Sequence, residues 1–168
     1  FLLDLFPEPT MKAAAKLVEE TGGKVTGIPC NVASNADVIA AFDKVKATGR
    51  VDIVVNIAGI AAVGIVEKCT ESDMDRVYGV NIKGLFYGCQ DAAKAMTSDN
   101  KGGVIVNLAS IASLIGIKDR FSYSMTKGAV LTMTYSMATD YMHKGIRCNC
   151  VAPTRVHTPF VDGFIKKN

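Results

Sequence analysis

Tyr123 and Lys127 stand four residues apart in Tyr123-Ser124-Met125-Thr126-Lys127, a spacing that brings two side chains together on one face of a helix. A phenol with the ordinary pKa of ~10 holds its proton at neutral pH, and a cation within a few ångströms favours the phenolate. Such a pair can exchange a proton with a substrate oxygen as a general acid or base. An exposed helical pair of the same types would do no chemistry, so the setting decides. Ser110 lies thirteen residues before Tyr123, at the close of an apolar run. Its hydroxyl is placed to donate a hydrogen bond to the same substrate oxygen.

The elements that must hold these residues follow from the hydrophobic pattern. Strand-length apolar runs end near residue 3 and cover 25–30, 51–57, 104–109 and 146–152. Stretches of helical period alternate with them. Residues 9–21 form a helix with Pro9 in its first turn and Gly22 as its stop. Ser34 caps the next helix, with Asp37 three residues on and Val38, Phe42 and Val45 as its apolar stripe. A long helical region over 70–96 is jogged near Gly79, and a helix over 121–144 is ended by Gly145. The strand over 51–57 is apolar on both faces, as expected of a strand covered by helices on both sides. The fold class is therefore α/β, a doubly wound parallel sheet in a single domain over 1–168. In such sheets ligands bind beyond the carboxyl ends of the strands. Asp4, Asn31, Asn56, Ser110 and the stretch 154–158 line up along that edge.

Composition excludes several classes. Hydrophobic residues make up 49% and charged residues 21%, which is the balance of a globular chain rather than a disordered one. The net charge of +3 comes from scattered lysines, so neither nucleic acid nor a membrane surface is expected as a partner. The apolar start is broken by Asp4 and is not read as a signal peptide. Five cysteines without an export signal are expected to be reduced thiols of a cytoplasmic protein. Cys148 and Cys150 share a strand face but lack two further ligands, so no metal is expected.

The ordered motifs resemble the short-chain dehydrogenase/reductase family along essentially the whole chain. Asn56-Ile57-Ala58-Gly59 is similar to its N-N-A-G segment, and Val80-Asn81-Ile82-Lys83-Gly84 carries its helix asparagine. Ser110, Tyr123 and Lys127 match the rest of its catalytic tetrad, and the segment 153–159 its P-G-x-x-x-T-P stretch. The resemblance implies a Rossmann-like dehydrogenase that moves hydride between a nicotinamide and a secondary alcohol or ketone. Tyr123 would exchange the substrate proton while Ser110 polarises the carbonyl oxygen. Lys127 would favour the phenolate and hold the ribose, and Asn81 would position a water. Asn31, Val32, Asn56, Ala58, Gly59, Pro153, Val156 and Thr158 would line the cofactor, together with Tyr123 and Lys127. Asp4 stands where the family accepts hydrogen bonds from the adenosine ribose. A carboxylate there favours NAD over NADP. By analogy the helix of Tyr123 and the region 70–96 would be buried in a homo-oligomer, a dimer or tetramer.

The sequence departs from the family pattern at several points. Asn31 replaces an aspartate, Ile57 the second asparagine of N-N-A-G, and Thr154 the glycine of P-G. The family's first strand and glycine-rich phosphate turn have no counterpart before Asp4, and the chain closes before the family's last helix and strand. An N-terminal βα unit and a C-terminal end are thus expected to be missing from this chain.

For the substrate, Arg120 lies three residues before Tyr123, where some members acting on small hydroxy acids and sugar acids carry an arginine able to grip a carboxylate bidentately. Arg155 is a second candidate. The opposing reading makes both surface residues, with Arg120 paired to Asp119. A reading of another class is a non-catalytic relative that binds dinucleotide or acts as a scaffold.

Overall fold

The computed structural model describes residues 1–154, 156 and 157. The candidates Arg155 and Thr158 lie outside the described residues. The elements run β1 (Leu2–Asp4), α1 (Pro7–Thr21), β2 (Gly27–Pro29), α2 (Asn35–Lys46), β3 (Ile53–Asn56) and α3 (Glu71–Tyr78). A π-helical segment (Gly79–Gly84) then leads into α4 (Leu85–Thr97), β4 (Gly103–Leu108), α5 (Phe121–Tyr141) and β5 (Ile146–Val151).

Local chemistry explains most boundaries. The Ser34 side chain accepts from Asp37 N, and Thr70 likewise accepts from Asp73 N, each satisfying an amide that has no partner within its helix. Gly22 and Gly145 adopt φ 67° and 72° at their helix ends, which glycine reaches without a Cβ penalty. Helix α1 begins at Pro7, two residues before the position expected from Pro9. Both prolines fall in the first turn, where amides have no intrahelical acceptor to lose. The jog expected near Gly79 is the π segment, one residue wider per turn than the helices on either side.

Among the described residues the strand pairs are all parallel, as expected, but they form two ladders: β1-β2 and β3-β4-β5. In the doubly wound strand order 3-2-1-4-5-6, these ladders correspond to 3-2 and 4-5-6, on either side of the place where the winding direction reverses. The core lies between β3-β4-β5 and the helices α2, α4 and α5, with Met96, Ile105, Val130 and Ile146 at its centre. One expectation fails here: among the described residues, β3 is covered on one face and not on both. Val54 packs into the core, whereas Ile53 and Val55 are 65% and 51% exposed. The helices that meet this sheet, α4 and α5, lie on the side of Val54.

Candidate active site

Two of the expected residues, Asn81 and Lys127, converge on a third, Gly59. An added Cβ at Gly59 would stand 3.5 Å from Asn81 Oδ1 and 3.5 Å from Lys127 Nζ. The glycine itself lies on the exposed loop that follows β3.

Asn81 reaches this point because the π segment turns it inward. Its carboxamide is buried, accepting from Ile60 N at 2.8 Å and donating to Ile60 O at 2.8 Å and to Thr126 Oγ1 at 2.9 Å. One side chain therefore ties the loop after β3 to α5. Thr126 passes the tie on by donating to Tyr123 O at 2.8 Å. Sequence reasoning left out Thr126 and Ile60. Thr126 sits inside the Tyr-to-Lys spacing as a hydroxyl between two chemical residues, and that was the available signal.

Lys127 is buried, and its Nζ donates to Leu108 O at 2.6 Å. Its ammonium lies 5.9 Å from the centre of the Tyr123 ring. Burial pushes Lys127 down to about 8, because a cation loses hydration in a dry setting. Tyr123 is half-buried on the first turn of α5.

Ser110 lies two residues past the end of β4 and caps a short 3-10 turn (Ile111–Ser113). Its Oγ accepts from Ala112 N at 3.2 Å, and its own amide donates to Ser113 Oγ at 3.1 Å. Having accepted rather than donated, the hydroxyl keeps its proton for a substrate oxygen. Pro153 O accepts from Ile111 N at 2.9 Å, which joins the exit of β5 to this turn.

The remaining candidates lie on the same strand edge with differing duties. Asp4 ends β1 with an exposed carboxylate whose nearest donor is Phe6 N at 3.5 Å. Asn31 closes a turn, its Oδ1 accepting from Ala33 N at 3.1 Å. Val32 packs against the π segment so closely that a Cβ on Gly84 would meet Val32 Cγ2 at 2.9 Å. Ala58 and Val156 are exposed. Asn56 directs its amide inward, donating to Asn107 Oδ1 at 2.9 Å.

Arg120 is the residue before α5, and its Nη1 donates to Asp119 O at 2.9 Å. Gly64 and Arg120 form an isolated parallel bridge, with Gly64 N donating to Asp119 O and Phe121 N donating to Gly64 O. The loops after β3 and β4 are stitched together there.

A parallel α/β sheet with a phenol, a buried ammonium, a hydroxyl and a carboxamide among the residues beyond its strands has the architecture of a Rossmann-like domain. The family model of short chain dehydrogenases matches residues 1–168, and the chain belongs to that family. It is 38% identical over 161 residues to 2-(R)-hydroxypropyl-CoM dehydrogenase of Xanthobacter autotrophicus, a match covering 94% of this chain and 64% of the relative. Among solved structures it is similar to a gluconate 5-dehydrogenase from Burkholderia cenocepacia in complex with NADP and tartrate. There the TM-score is 0.91 at 30% identity, covering 98% of this chain and 64% of that one. Levodione reductase gives a TM-score of 0.93 at 29% identity, covering 98% and 65%. The chain thus spans just under two thirds of the length of these relatives.

Proposed function

We propose that residues 1–168 are part of one catalytic domain of an NAD-dependent oxidoreductase that interconverts a secondary alcohol and a ketone. The observation that carries this reading is the convergence of Asn81 and Lys127 on Gly59, with Tyr123 beside the ammonium. The residues at the sheet edge fit a dinucleotide. Asp4 offers an exposed carboxylate to ribose hydroxyls, Gly59 offers open main chain, and Lys127 presents a cation next to both loop and phenol. Asn31, Val32, Ala58, Pro153 and Val156 complete that edge, and Asn56 contributes main chain only, its side-chain amide being engaged with Asn107.

A bound nicotinamide supplies the hydride acceptor or donor. In the oxidation direction, Tyr123 accepts the hydroxyl proton as the C–O bond gains double-bond character. Ser110 donates a hydrogen bond to that oxygen, and the Lys127 ammonium stabilises the phenolate while the charge moves. Asn81 holds the loop and α5 in register, and a water beside it is the proton's route to solvent. The test is to follow NADH absorbance with the full-length protein across secondary alcohols and ketones. Cofactor binding with no turnover on any of them would favour a non-catalytic relative instead.

NAD rather than NADP is proposed because the Asp4 carboxylate would repel a 2′-phosphate. The Burkholderia relative holds NADP, so the point is open to a direct test. Asp4→Ser combined with Leu5→Arg should shift the ratio of kcat/KM values toward NADP by tenfold or more, about 1.4 kcal/mol. Leu5 is half exposed and can carry the arginine without repacking. An unchanged ratio would rule out this strand end as the selector.

An acid substrate is proposed on Arg120. If its guanidinium grips a carboxylate, Arg120→Met should raise KM for a hydroxy acid about ten- to a hundredfold, the worth of a desolvated charge-assisted pair. Uncharged alcohols should be little affected, and Arg120→Lys should rescue only in part. Equal losses on a hydroxy acid and its neutral analogue would make Arg120 a support for the loop joined at Gly64.

The five free cysteines suit a reducing, cytoplasmic setting, and no helix of the described residues is long and apolar enough to cross a membrane. A homo-oligomer is supported by the outer faces of α4 and α5. Between them lies a groove lined by Phe86, Met133, Met137 and Tyr141, with Phe86 exposed, an apolar surface of the sort that partners cover.

A further inference from the structure

Asn107 is the one polar side chain of the apolar run in β4, and it has no exposed surface at all (0%). Its Oδ1 accepts from Asn56 Nδ2 at 2.9 Å, straight across the ladder where the two residues are register partners. Its Nδ2 donates to Thr134 Oγ1 at 3.0 Å, and that hydroxyl in turn donates to Val130 O at 2.7 Å within α5. A chain of directional bonds thus crosses from β3 through β4 into α5 inside the core. The thiols of Cys89 and Cys148 flank the carboxamide at 3.7 and 3.6 Å. Burial pushes them up to about 12 and about 11, so they are neutral there at working pH.

Apolar side chains of similar volume would fill this space without the desolvation cost of two amides and a hydroxyl. What they would lack is direction. Helix α5 rests on the sheet mostly through apolar contacts, which resist sliding and rotation weakly, whereas hydrogen bonds fix both. Thr134 is seven residues, two helical turns, beyond Lys127 and so on the same face of α5. Asn107 immediately precedes Leu108, the residue whose carbonyl accepts from Lys127 Nζ at 2.6 Å. The helix is therefore fastened to β4 at two points along one face, by Thr134 and by Lys127. Gly88 shows how closely α4 closes on the same chain, since a Cβ there would lie 2.6 Å from Asn56 Oδ1.

We infer that Asn56, Asn107 and Thr134 are positioning residues that set the height and rotation of α5 on β4, and thereby the place of the Lys127 ammonium beside Tyr123. This rests on the reading of Tyr123 and Lys127 as the proton-transfer pair. The groups facing the ammonium are Tyr123 on its own helix, Leu108 O on β4, and Asn81 and Gly59 on the π segment and the loop. Of these only Tyr123 titrates, so a displaced ammonium should register in the pH profile.

The test uses the full-length enzyme with Thr134→Val, which keeps the shape and removes the hydroxyl, and Thr134→Ser, which keeps the hydroxyl. Thr134→Val should lower kcat for alcohol oxidation about tenfold, a modest share of what an ångström of misplacement costs. It should leave the cofactor Kd within twofold and move the acid limb of the kcat/KM profile upward by about half a pH unit or more. Thr134→Ser should return both to near the wild-type values. A Thr134→Val enzyme with lowered thermal stability but an unmoved limb and kcat would overturn the inference, as would a folded Thr134→Ser that fails to rescue. Should Thr134→Val not fold, Gly88→Ala, which crowds Asn56 from α4, is expected to move the limb in the same direction, and an unmoved limb there overturns it equally. Failure of the underlying reading is separate, because it would appear as retained turnover in Tyr123→Phe whatever Thr134 does.

Discussion

Tyr123→Phe in the full-length protein should lower turnover by about 10²–10⁴-fold while leaving cofactor binding within a few-fold. The substitution removes one oxygen and keeps the ring, which is half-buried at the start of α5. The backbone tie from Thr126 Oγ1 to Tyr123 O at 2.8 Å does not involve the phenol, so the first turn should stay in place. Lys127 keeps its bond to Leu108 O and Asn81 keeps both of its bonds to Ile60. A loss of rate would then report proton transfer and not collapse of the site. Matched thermal unfolding of the two proteins checks that the fold is unchanged. If the variant retained more than about a tenth of the wild-type rate, another group must be moving the proton, and Ser110 would be the first to examine by Ser110→Ala.

The parts of this site that are legible in the sequence are those set by short-range chemistry. The cap at Ser34, the glycine stops at 22 and 145, and the pairing of Tyr123 with Lys127 across one helical turn depend on residues within a few positions of one another. The jog near Gly79 was visible for the same reason, although its π geometry and the inward turn it gives Asn81 were not. The unreadable parts are settled by contacts across the chain. Asn81 holds Ile60 from twenty-one residues away and Thr126 from forty-five, and no local pattern announces either partner. Asn56 reads as a ligand-facing strand end, yet its side chain turns toward Asn107 because their register in the β3-β4 ladder places them opposite one another. The exposure of Ile53 and Val55 was hidden by the unbroken apolar run from 53 to 55, where period carries no information about which face has a helix on it.

Lys127→Met should cost about 10²–10³-fold in kcat, the usual worth of one charge-stabilising donor in a site of this kind, and should at the same time stabilise the folded protein at neutral pH. Both effects come from the same burial. The side chain is 5% exposed and donates to the Leu108 carbonyl, and burial holds it at about 8 against the ordinary 10.5. Between those two pH values the unfolded chain binds more protons at this residue than the folded one, so its contribution to stability improves as pH rises through that window. Below about pH 8 both states are protonated and the full cost of burying the ammonium is present, on the order of 3 kcal/mol. Above about 10.5 both are neutral and the cost is gone. Methionine fills a similar volume without a charge, so Lys127→Met should melt higher than wild type at pH 7, and the gap should narrow steadily between pH 8 and 10. The measurement is Tm for both proteins at unit steps from pH 6 to 10, paired with kcat at pH 7. A variant that is less active yet no more stable, with a Tm difference that does not change with pH, would mean that the ammonium is not destabilised where it sits. The protein would then hold it there at no cost in stability, and the trade of stability for catalysis argued for Lys127 would fail.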